Sequence, residues 1–319
     1  MRIHVSLEPD DAHRALLRSA LAAVGSASLT FGPDLPALAS DEPGLNVLVN
    51  GRPAHEALAA VVPGGALVIP YSGLPARTRD QLADRPDLRV YNLHHNAELV
   101  AEHAVALLLA ASRRLVPIDR AFRAGDWRAR YLPDDSPHLR GQRALILGYG
   151  AIGRCVGNAL TGLGMEVVGL RRTQAPSLDQ LDALLPTARA LVIALPRTPQ
   201  TEGLLDARRL AQLDPKAVLV NIARGAICDE PALFEALRDR RLYAAGLDVW
   251  WRYPGEDARE HTPPAEAPFH ELDNVVLSPH RAGHADATER LRTEHLATVL
   301  AALAGGREPA TRIDPGRGY

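Results

Sequence analysis

The stretch Ala144-Leu-Ile-Leu-Gly-Tyr-Gly-Ala-Ile-Gly153 is the clearest indication of the fold, and a helix-like segment, 154–163, follows it. A glycine pattern of this spacing that ends an apolar strand and opens a helix is typical of dinucleotide binding. Gly148 would permit the tight turn, Gly150 would let the backbone approach a pyrophosphate, and Gly153 would let the helix pack on the strand. The first N–H groups of the helix would bind the phosphates. The stretch therefore predicts cofactor contacts from Gly148, Tyr149, Gly150, Ala151, Ile152 and Gly153.

The next predicted strand, Met165 to Leu170, ends in Arg171-Arg172-Thr173 instead of an acidic residue. A carboxylate at this point would bind the 2′-hydroxyl of an adenosine ribose, whereas guanidinium groups suit a 2′-phosphate through bidentate, charge-assisted hydrogen bonds. We therefore expect Arg171, Arg172 and Thr173 to contact NADP(H), which is preferred over NAD(H). The alternative is that both arginines are solvated charges at a strand end.

Strand-like and helix-like segments alternate on both sides of this stretch, which predicts β–α units and parallel sheets. An apolar helix from Asn96 to Arg114 separates the two series, and its apolar surface predicts burial between domains or subunits. We expect residues 97–284 to form one inserted dinucleotide-binding domain, with residues 1–96 and 285–319 forming a discontinuous second domain. The strand candidates before the helix are Ile3–Leu7, Leu45–Val49, Ala66–Pro70 and Leu88–Tyr91; those after it are Ala144–Leu147, Glu166–Leu170, Ala190–Leu195, Ala217–Ile222, Ala244–Val249 and Val275–Leu277.

The composition of the 319 residues is that of a globular protein, since 46% are hydrophobic and 23% are charged. A formal net charge of −2 provides no basic field for nucleic acid or for an anionic membrane surface. Lys216 is the only lysine among 36 basic residues, which makes lysine catalysis improbable. Cys155 and Cys228 are too far apart in sequence for a CxxC motif and are expected to be small hydrophobic residues. No segment has the pattern of a signal peptide or membrane span, so we expect a cytoplasmic protein.

Several motifs in a fixed order resemble the D-isomer-specific 2-hydroxyacid dehydrogenase family. The resemblance covers nearly the whole chain and is strongest from Asn96 to Gly283. It implies two Rossmann- or flavodoxin-like domains with the active site in the cleft between them, a discontinuous substrate domain, and a homodimer built around the segment after Asn96. The matching segments are Asn96-Ala-x-x-Val-Ala-Glu-His103, Gly148–Gly153, Leu195-Pro-x-Thr-x-x-Thr201, Val220-Asn-Ile-Ala-Arg-Gly225, Asp229-Glu230, Leu247-Asp-Val249 and Ser278-Pro-His-x-Ala-Gly283.

The resemblance implies a catalytic arginine and a catalytic histidine, which this chain supplies as Arg224 and His280. Reduction of a 2-oxo acid needs a proton donor for the developing alkoxide, and a histidine can act as acid or base near neutral pH. A fixed guanidinium can bind the substrate carboxylate and the polarised carbonyl. Both residues follow predicted parallel strands, whose carboxyl ends bind ligands. The resemblance adds cofactor contacts from Leu195, Pro196, Ile222, Ala223, Asp248 and Gly283.

Tyr253 departs from the family pattern, because a glutamate that supports the catalytic histidine usually stands there. A carboxylate would stabilise the imidazolium and raise its pKa, whereas a neutral phenol can only orient the ring. We therefore expect His280 either to work with a lower pKa or to use another acid, of which Glu256 is the nearest in sequence. Trp250 and Trp251, just before Tyr253, could wall the substrate pocket or pack the domain junction.

Substrate contacts outside the predicted dinucleotide-binding domain are expected from Ser72, Gly73 and Leu74. These residues follow a predicted strand and align loosely with the family loop whose N–H groups hold the substrate carboxylate. The basic residue typical of that loop is replaced by Pro70 and Tyr71, which leaves the substrate's size and charge open. His94 and His95 could line the cleft or lie on the surface.

The sequence thus predicts an oxidoreductase that transfers hydride between NADP(H) and a small 2-oxo acid such as glyoxylate or hydroxypyruvate. One alternative is a dehydrogenase of formate or another small anion, against which the supporting glutamine of formate dehydrogenases is missing. A second alternative is a cofactor-sensing protein like the corepressors that share the fold, against which both Arg224 and His280 are present. No metal site is expected, because His280 and His284 are separated by Gly283 and no HExxH motif occurs.

Overall fold

The computed structural model describes residues 1–25, 27–36, 44–132, 135–172, 176–255 and 258–317. The chain divides into two compact units: unit 1 comprises residues 1–96 and 285–319, and unit 2 comprises residues 97–284. Each is an α/β unit with one six-stranded sheet. No helix of the described ranges is both long enough and apolar enough to cross a membrane.

The described strands, in chain order, are β1 Arg2–Val5, β2 Ser28–Phe31, β3 Leu45–Val49, β4 Val61–Ile69, β5 Arg89–Asn92, β6 Arg143–Leu147, β7 Glu166–Leu170, β8 Ala188–Ile193, β9 Val218–Asn221, β10 Ala244–Leu247, β11 Val275–Leu277 and β12 Arg312–Ile313. The described α-helices are α1 Asp11–Ala22, α2 His55–Ala59, α3 Ala76–Leu82, α4 Ala97–Ser112, α5 Leu115–Arg123, α6 Ala151–Gly162, α7 Leu181–Leu184, α8 Ala207–Leu210, α9 Glu230–Arg238 and α10 Thr288–Ala304.

Unit 1 contains a sheet of order β12-β5-β4-β3-β1-β2. Strands β1 to β5 are parallel to one another, and β12 pairs with β5 in the antiparallel direction. Helices α1 and α10 pack together over one face of the sheet, where their leucines join the alternate residues of β1, β3 and β4 in one core. Two strands of this unit were not predicted from the sequence: β2, a short and partly exposed edge strand, and β12, which has only two residues.

Unit 2 contains a fully parallel sheet of order β11-β10-β9-β8-β6-β7. Successive residues of β6 enter different cores: Leu145 and Leu147 face one, and Ala144 and Ile146 face the other. Burial on both faces explains why its central strands are uninterrupted apolar runs instead of alternating ones. The prediction of two Rossmann- or flavodoxin-like domains with parallel sheets is confirmed.

Helix α4 obtains the burial that its apolar sequence requires from its own unit. Its inner residues pack on the second core of unit 2, against α6, β9 and β10. At Gly246 of β10, an added Cβ would lie 2.7 Å from the Cβ of Leu107, so only glycine allows this approach. The expected burial between domains or subunits is therefore not needed to explain the composition of this helix.

Candidate active site

The glycine loop lies at the point where the strand order of unit 2 reverses, because β7 and β8 flank β6 on opposite sides. Gly148 has a φ of +94°, and a Cβ there would lie 2.7 Å from the carbonyl oxygen of Ala194. A Cβ at Gly153 would lie 2.1 Å from the carbonyl oxygen of Gly148. By contrast, nothing lies within 4 Å of a Cβ placed on Gly150. Two glycines therefore close the turn, and the third leaves open space in front of the helix.

Helix α6 begins at this open space without a side-chain cap. Its N-cap residue, Gly150, has no side chain that could cap the helix, and the first turn contains no acidic residue. The first N–H groups of a helix have no partner inside the helix and carry a partial positive charge. The amides of Gly148 and Tyr149 precede the helix and donate to the carbonyl of Leu170, at 3.0 and 3.1 Å. These features fit the pyrophosphate of a dinucleotide.

The two arginines predicted to recognise the ribose phosphate follow β7. Arg171 is half-buried and Arg172 is exposed. The guanidinium carbon of Arg171 lies 5.7 Å from the centroid of the Tyr149 ring. Thr173, which was predicted to accompany them, lies outside the described residues.

Arg224 is exposed at the end of β9 and is held by a buried amide. The Nδ2 of Asn221 donates to the carbonyl of Arg224 at 3.0 Å, and its Oδ1 accepts from the N–H of Ala223 at 3.1 Å. The next residue, Gly225, is pressed against the end of β10, since a Cβ there would lie 2.5 Å from the carbonyl oxygen of Trp250. This approach fixes the Arg224 turn to the neighbouring loop.

Asp248 anchors the loop that carries His280. Its carboxylate, almost completely buried, accepts hydrogen bonds from the hydroxyl of Ser278 at 2.5 Å and from the N–H groups of Arg281 and Ala282 at 2.9 and 3.1 Å. His103 of α4 reaches the same group, with its Nε2 2.9 Å from the hydroxyl of Ser278. The structure thus shows Asp248 as a positioning residue, and its expected contact with a cofactor stays a prediction.

His280 adopts a left-handed backbone conformation with a φ of +55°, which is uncommon for a residue with a side chain. The three hydrogen bonds to Asp248 surround this position and hold it. Desolvation lowers the pKa of His280, and the positive charge of Arg224 lowers that pKa further, whereas the charge of Asp248 opposes the shift. Arg224 and His280, which follow different strands, are therefore close enough to interact electrostatically.

Tyr253 packs beside His280, with ring centroids 5.4 Å apart and planes inclined by 58°. Its hydroxyl oxygen accepts a hydrogen bond from the N–H of Trp250 at 3.2 Å. Partial desolvation raises the pKa of Tyr253, although its side chain is exposed at the surface, so the phenol stays protonated near neutral pH. The lowered pKa of His280 agrees with the first of the two expectations for this histidine. Glu256, the acid considered as a substitute, lies outside the described residues.

Trp250 and Trp251 belong to the larger core of unit 2 and join its functional loops. The indole N–H of Trp250 donates to the carbonyl of Ser278 at 2.8 Å, and that of Trp251 donates to the carbonyl of Cys228 at 3.0 Å. The Trp251 ring also stacks on Phe269 at 5.4 Å. These contacts favour packing over a pocket wall as the role of the two indoles.

The remaining residues predicted to bind the cofactor border the same edge of the sheet. Leu195, Ile222 and Ala223 are buried, and the carbonyl of Pro196 accepts a hydrogen bond from Thr201 at 2.7 Å. Gly283 follows the amides that bind Asp248. Their cofactor contacts stay predictions.

Unit 1 contains a concavity of about 330 Å³ where its own strand order reverses. Pro70 and Tyr71 line it after β4, and Asn50 and Arg52 line it after β3. A basic residue, Arg52, therefore lines the same concavity as Tyr71, although the sequence suggested that this loop lacks one. Arg52 comes to this loop because β3 and β4 are neighbours in the sheet, and no local motif indicates that pairing.

The predicted substrate contacts Ser72, Gly73 and Leu74 follow this concavity and are half-buried. The carbonyl of Ser72 accepts a hydrogen bond from the Nδ2 of Asn92 at 2.8 Å, and Leu74 packs on a core of unit 1. These contacts anchor the backbone that carries the N–H groups of this loop. Their binding of a substrate carboxylate stays a prediction.

The other titratable residues considered from the sequence, two histidines and two cysteines, are partly or fully buried. His94 and His95 are half-buried, and burial lowers the pKa of His95 to about 4. Burial raises the pKa of Cys228 to about 12, which makes its thiol unreactive. The second cysteine, Cys155, is half-buried. Among the described residues, no cluster of histidine, cysteine and acidic side chains could hold a metal ion.

The chain matches known proteins in sequence and in fold. The family model for the D-isomer specific 2-hydroxyacid dehydrogenase, NAD binding domain, matches residues 105–282. A D-3-phosphoglycerate dehydrogenase of Mycobacterium leprae is 36% identical over 69% of this chain and 42% of its own length. A glyoxylate reductase of Thermococcus onnurineus is 33% identical over 67% of this chain and 65% of its own length. The matched part is thus less than half of the first relative and under two thirds of the second.

Solved structures share the fold over the whole chain. A D-isomer specific 2-hydroxyacid dehydrogenase from Xanthobacter autotrophicus Py2, solved with NADPH and MES, is 26% identical. It aligns with a TM-score of 0.75 over 100% of this chain and 99% of that chain.

Proposed function

The chain belongs to the D-isomer-specific 2-hydroxyacid dehydrogenase family, and we propose that it reduces a small 2-oxo acid, such as glyoxylate or hydroxypyruvate, with NADPH as the preferred coenzyme. The observation that carries this proposal is the pairing of Arg224 with His280 on loops of the unit that contains the glycine fingerprint. A pure binding protein would not need an imidazole that is held, on a loop anchored by the buried carboxylate of Asp248, within electrostatic reach of a guanidinium.

The coenzyme, when bound, supplies the hydride, and the chain supplies binding and proton transfer. The N-terminus of α6 holds the pyrophosphate. The guanidinium of Arg224 binds the substrate carboxylate and polarises the carbonyl oxygen, where negative charge develops during reduction. His280, in its protonated form, donates a proton to that oxygen, and the neutral imidazole takes the proton back in the reverse reaction.

The lowered pKa of His280 sets the direction of the pH dependence. Reduction uses the imidazolium, so kcat/KM for reduction falls as the pH rises through a pKa that lies below the usual value for histidine. Oxidation uses the neutral imidazole and persists to lower pH. An enzyme with tyrosine in place of a supporting carboxylate is thus suited to the reductive direction at mildly acidic pH.

The preference for NADPH is supported by the sequence Arg171-Arg172-Thr173 directly after β7, which contains no acidic residue. The similar structure from Xanthobacter autotrophicus was solved with NADPH. The test is to compare kcat/KM with NADPH and with NADH in the wild type and in Arg171→Asp. We expect the variant to lose the preference, and a wild type that favours NADH would overturn it.

The reaction itself is tested by following coenzyme oxidation with a panel of 2-oxo acids. We expect turnover of NADPH with glyoxylate or hydroxypyruvate, and a loss of about 10²- to 10⁴-fold in kcat in His280→Gln. Arg224→Gln should raise KM as well as lower kcat, because it removes both carboxylate binding and polarisation. Tight NADPH binding without turnover of any acid would instead favour a coenzyme sensor.

A homodimer is part of the proposal. Helix α5 has no buried residue, and its apolar side chains Leu115, Val116, Ile118 and Phe122 are 40–58% exposed. An exposed apolar helix face of this kind marks an interface. Because the family resemblance implies a dimer built on this segment, we assign the face to a second copy of the chain. Sedimentation should show a dimer in the wild type and a monomer in Ile118→Glu; a monomeric wild type would contradict the assignment.

A further inference from the structure

The side chain of Tyr149, the second residue of the glycine fingerprint, lies between helix α6 and strand β7. A Cβ at Gly157 of α6 would lie 2.6 Å from its hydroxyl oxygen, and a Cβ at Gly169 of β7 would lie 2.2 Å from two of its ring carbons. Neither distance is compatible with a side chain at those positions. Two glycines outside the fingerprint therefore leave the space that the phenol ring occupies.

Arg171 lies over this ring. Its guanidinium carbon is 5.7 Å from the ring centroid, within the range of a cation–π interaction. Its backbone is fixed on both sides: its N–H donates to Pro176 at 3.1 Å, and its carbonyl accepts from Leu178 at 3.0 Å. The backbone and the ring together limit the directions in which the guanidinium can point.

A guanidinium that stacks on an aromatic face keeps its N–H donors in a plane that extends past the ring edge. A phosphate can then be bound in bidentate fashion by an already ordered side chain, so that less rotamer entropy is lost on binding. The amides of Gly148 and Tyr149 are bonded to Leu170, the residue before Arg171. These hydrogen bonds therefore connect the glycine loop to the backbone of Arg171.

We propose that Tyr149 is a specificity-determining positioning residue, whose ring orients Arg171 for the 2′-phosphate of NADP(H). This inference rests on the proposed coenzyme preference. It assigns part of that preference to a residue of the fingerprint that does not itself contact the 2′-phosphate. Selectivity then depends on the set Tyr149, Gly157, Gly169 and Arg171, and not on the arginine alone.

The test uses the two probes 2′,5′-ADP and 5′-AMP, which differ only in the 2′-phosphate. Their dissociation constants are measured for the wild type, Tyr149→Leu and Tyr149→Phe. The leucine fills space without a π face, and the phenylalanine keeps the face without the hydroxyl. We expect the preference for 2′,5′-ADP to fall about two- to five-fold in Tyr149→Leu and to persist in Tyr149→Phe, as the size of an exposed cation–π interaction implies.

A double-mutant comparison separates orientation of Arg171 from a general effect on the loop. In an Arg171→Gln background, Tyr149→Leu should cause no further loss of preference; an equal further loss would overturn the inference. Tyr149→Met serves for the same comparison if the leucine variant does not fold.

The two proposals fail in different ways. A wild type that binds 5′-AMP as tightly as 2′,5′-ADP would refute the proposed coenzyme preference. A wild type that prefers 2′,5′-ADP and keeps its full preference in Tyr149→Leu would refute only the role of Tyr149.

Discussion

The two units contain sheets of the same strand order, yet they differ at the turn that follows the first strand of each sheet. In unit 2, the turn after β6 ends at Gly150, and α6 starts without a side-chain cap. In unit 1, the chain after β1 leads to Asp10, whose carboxylate accepts a hydrogen bond from the N–H of His13 at 2.9 Å and caps α1. Asp11 adds a second negative charge to the first turn of α1.

The comparison shows that sheet order alone does not make a phosphate site. A carboxylate at a helix N-terminus satisfies its amides and repels an anion, whereas a glycine leaves the amides to a ligand. The hydrogen bond from the backbone of His13 lowers the pKa of Asp10, so its charge remains at the helix end at neutral pH. Thus the residue at the N-cap, and not the fold, distinguishes the two helices.

The largest expected effect comes from giving unit 2 the cap of unit 1. Gly150→Asp should weaken NADPH binding by about 100-fold or more, because the new carboxylate fills the open space and repels the pyrophosphate. The variant should keep its thermal stability, since aspartate is a favourable N-cap and the position has room for a side chain. Calorimetric titration with NADPH measures the loss. Undiminished affinity would show that the N-cap residue does not determine phosphate binding.

A second large effect concerns the loop after β11, which the buried carboxylate of Asp248 holds. Asp248→Asn places an amide among three donors, so the loop that carries His280 should shift and kcat should fall about 10- to 100-fold. Binding of NADP⁺ should change much less. Asp229→Asn, which alters an exposed cap of α9, is the matched control. If affinity for NADP⁺ falls as far as kcat does, Asp248 contacts the cofactor directly, as the sequence predicted.

A moderate effect is expected at Tyr253, where the chain departs from its family. Tyr253→Glu places a carboxylate beside His280, stabilises the imidazolium and raises its pKa. The decline of kcat/KM for reduction should therefore move to higher pH. Tyr253→Phe adds no charge and should leave the decline where it is in the wild type. A Tyr253→Glu profile that coincides with that of the wild type would show that another group sets the pKa of His280.

The smallest effect belongs to unit 1. Asp10→Ala removes the cap of α1 and should lower Tm slightly at pH 7 without altering NADPH affinity. Because the pKa of Asp10 is lower in the folded state, its stabilisation is present above the unfolded value and is lost as the pH falls through the folded value. The Tm difference should therefore vanish in strong acid. A change in NADPH affinity would show that unit 1 takes part in binding the phosphates.

The parallel sheets were predictable from the sequence because buried strands are short apolar runs with clear boundaries, as in 144–147 and 188–193. Arg224 and His280 could be proposed as catalytic candidates because each lies, directly after such a run, in a motif that resembles the family. Strand β2 was missed because only its alternate residues are half-buried, so its composition does not differ from that of a loop.

The supporting contacts were not predictable from local sequence. His103 and Ser278, which hold the His280 loop, are 175 residues apart, and their hydrogen bond leaves no local pattern. Arg52 reaches the concavity beside Tyr71 only because β3 and β4 are neighbours in the sheet. The ring of Tyr149 meets Arg171 because β7 pairs with β6. The positions of Arg52 and Tyr149 depend on strand order, which the motifs do not specify.

Hydride transfer to a 2-oxo acid is tested most directly with NADPH that carries two deuterium atoms at C4. The protein is incubated with this coenzyme and hydroxypyruvate, and the product is analysed by mass spectrometry and chiral chromatography. We expect D-glycerate with one deuterium at C2, as direct hydride transfer from the coenzyme requires. Glycerate without deuterium, the L-isomer, or no reduction of any 2-oxo acid by a protein that binds NADPH would contradict it.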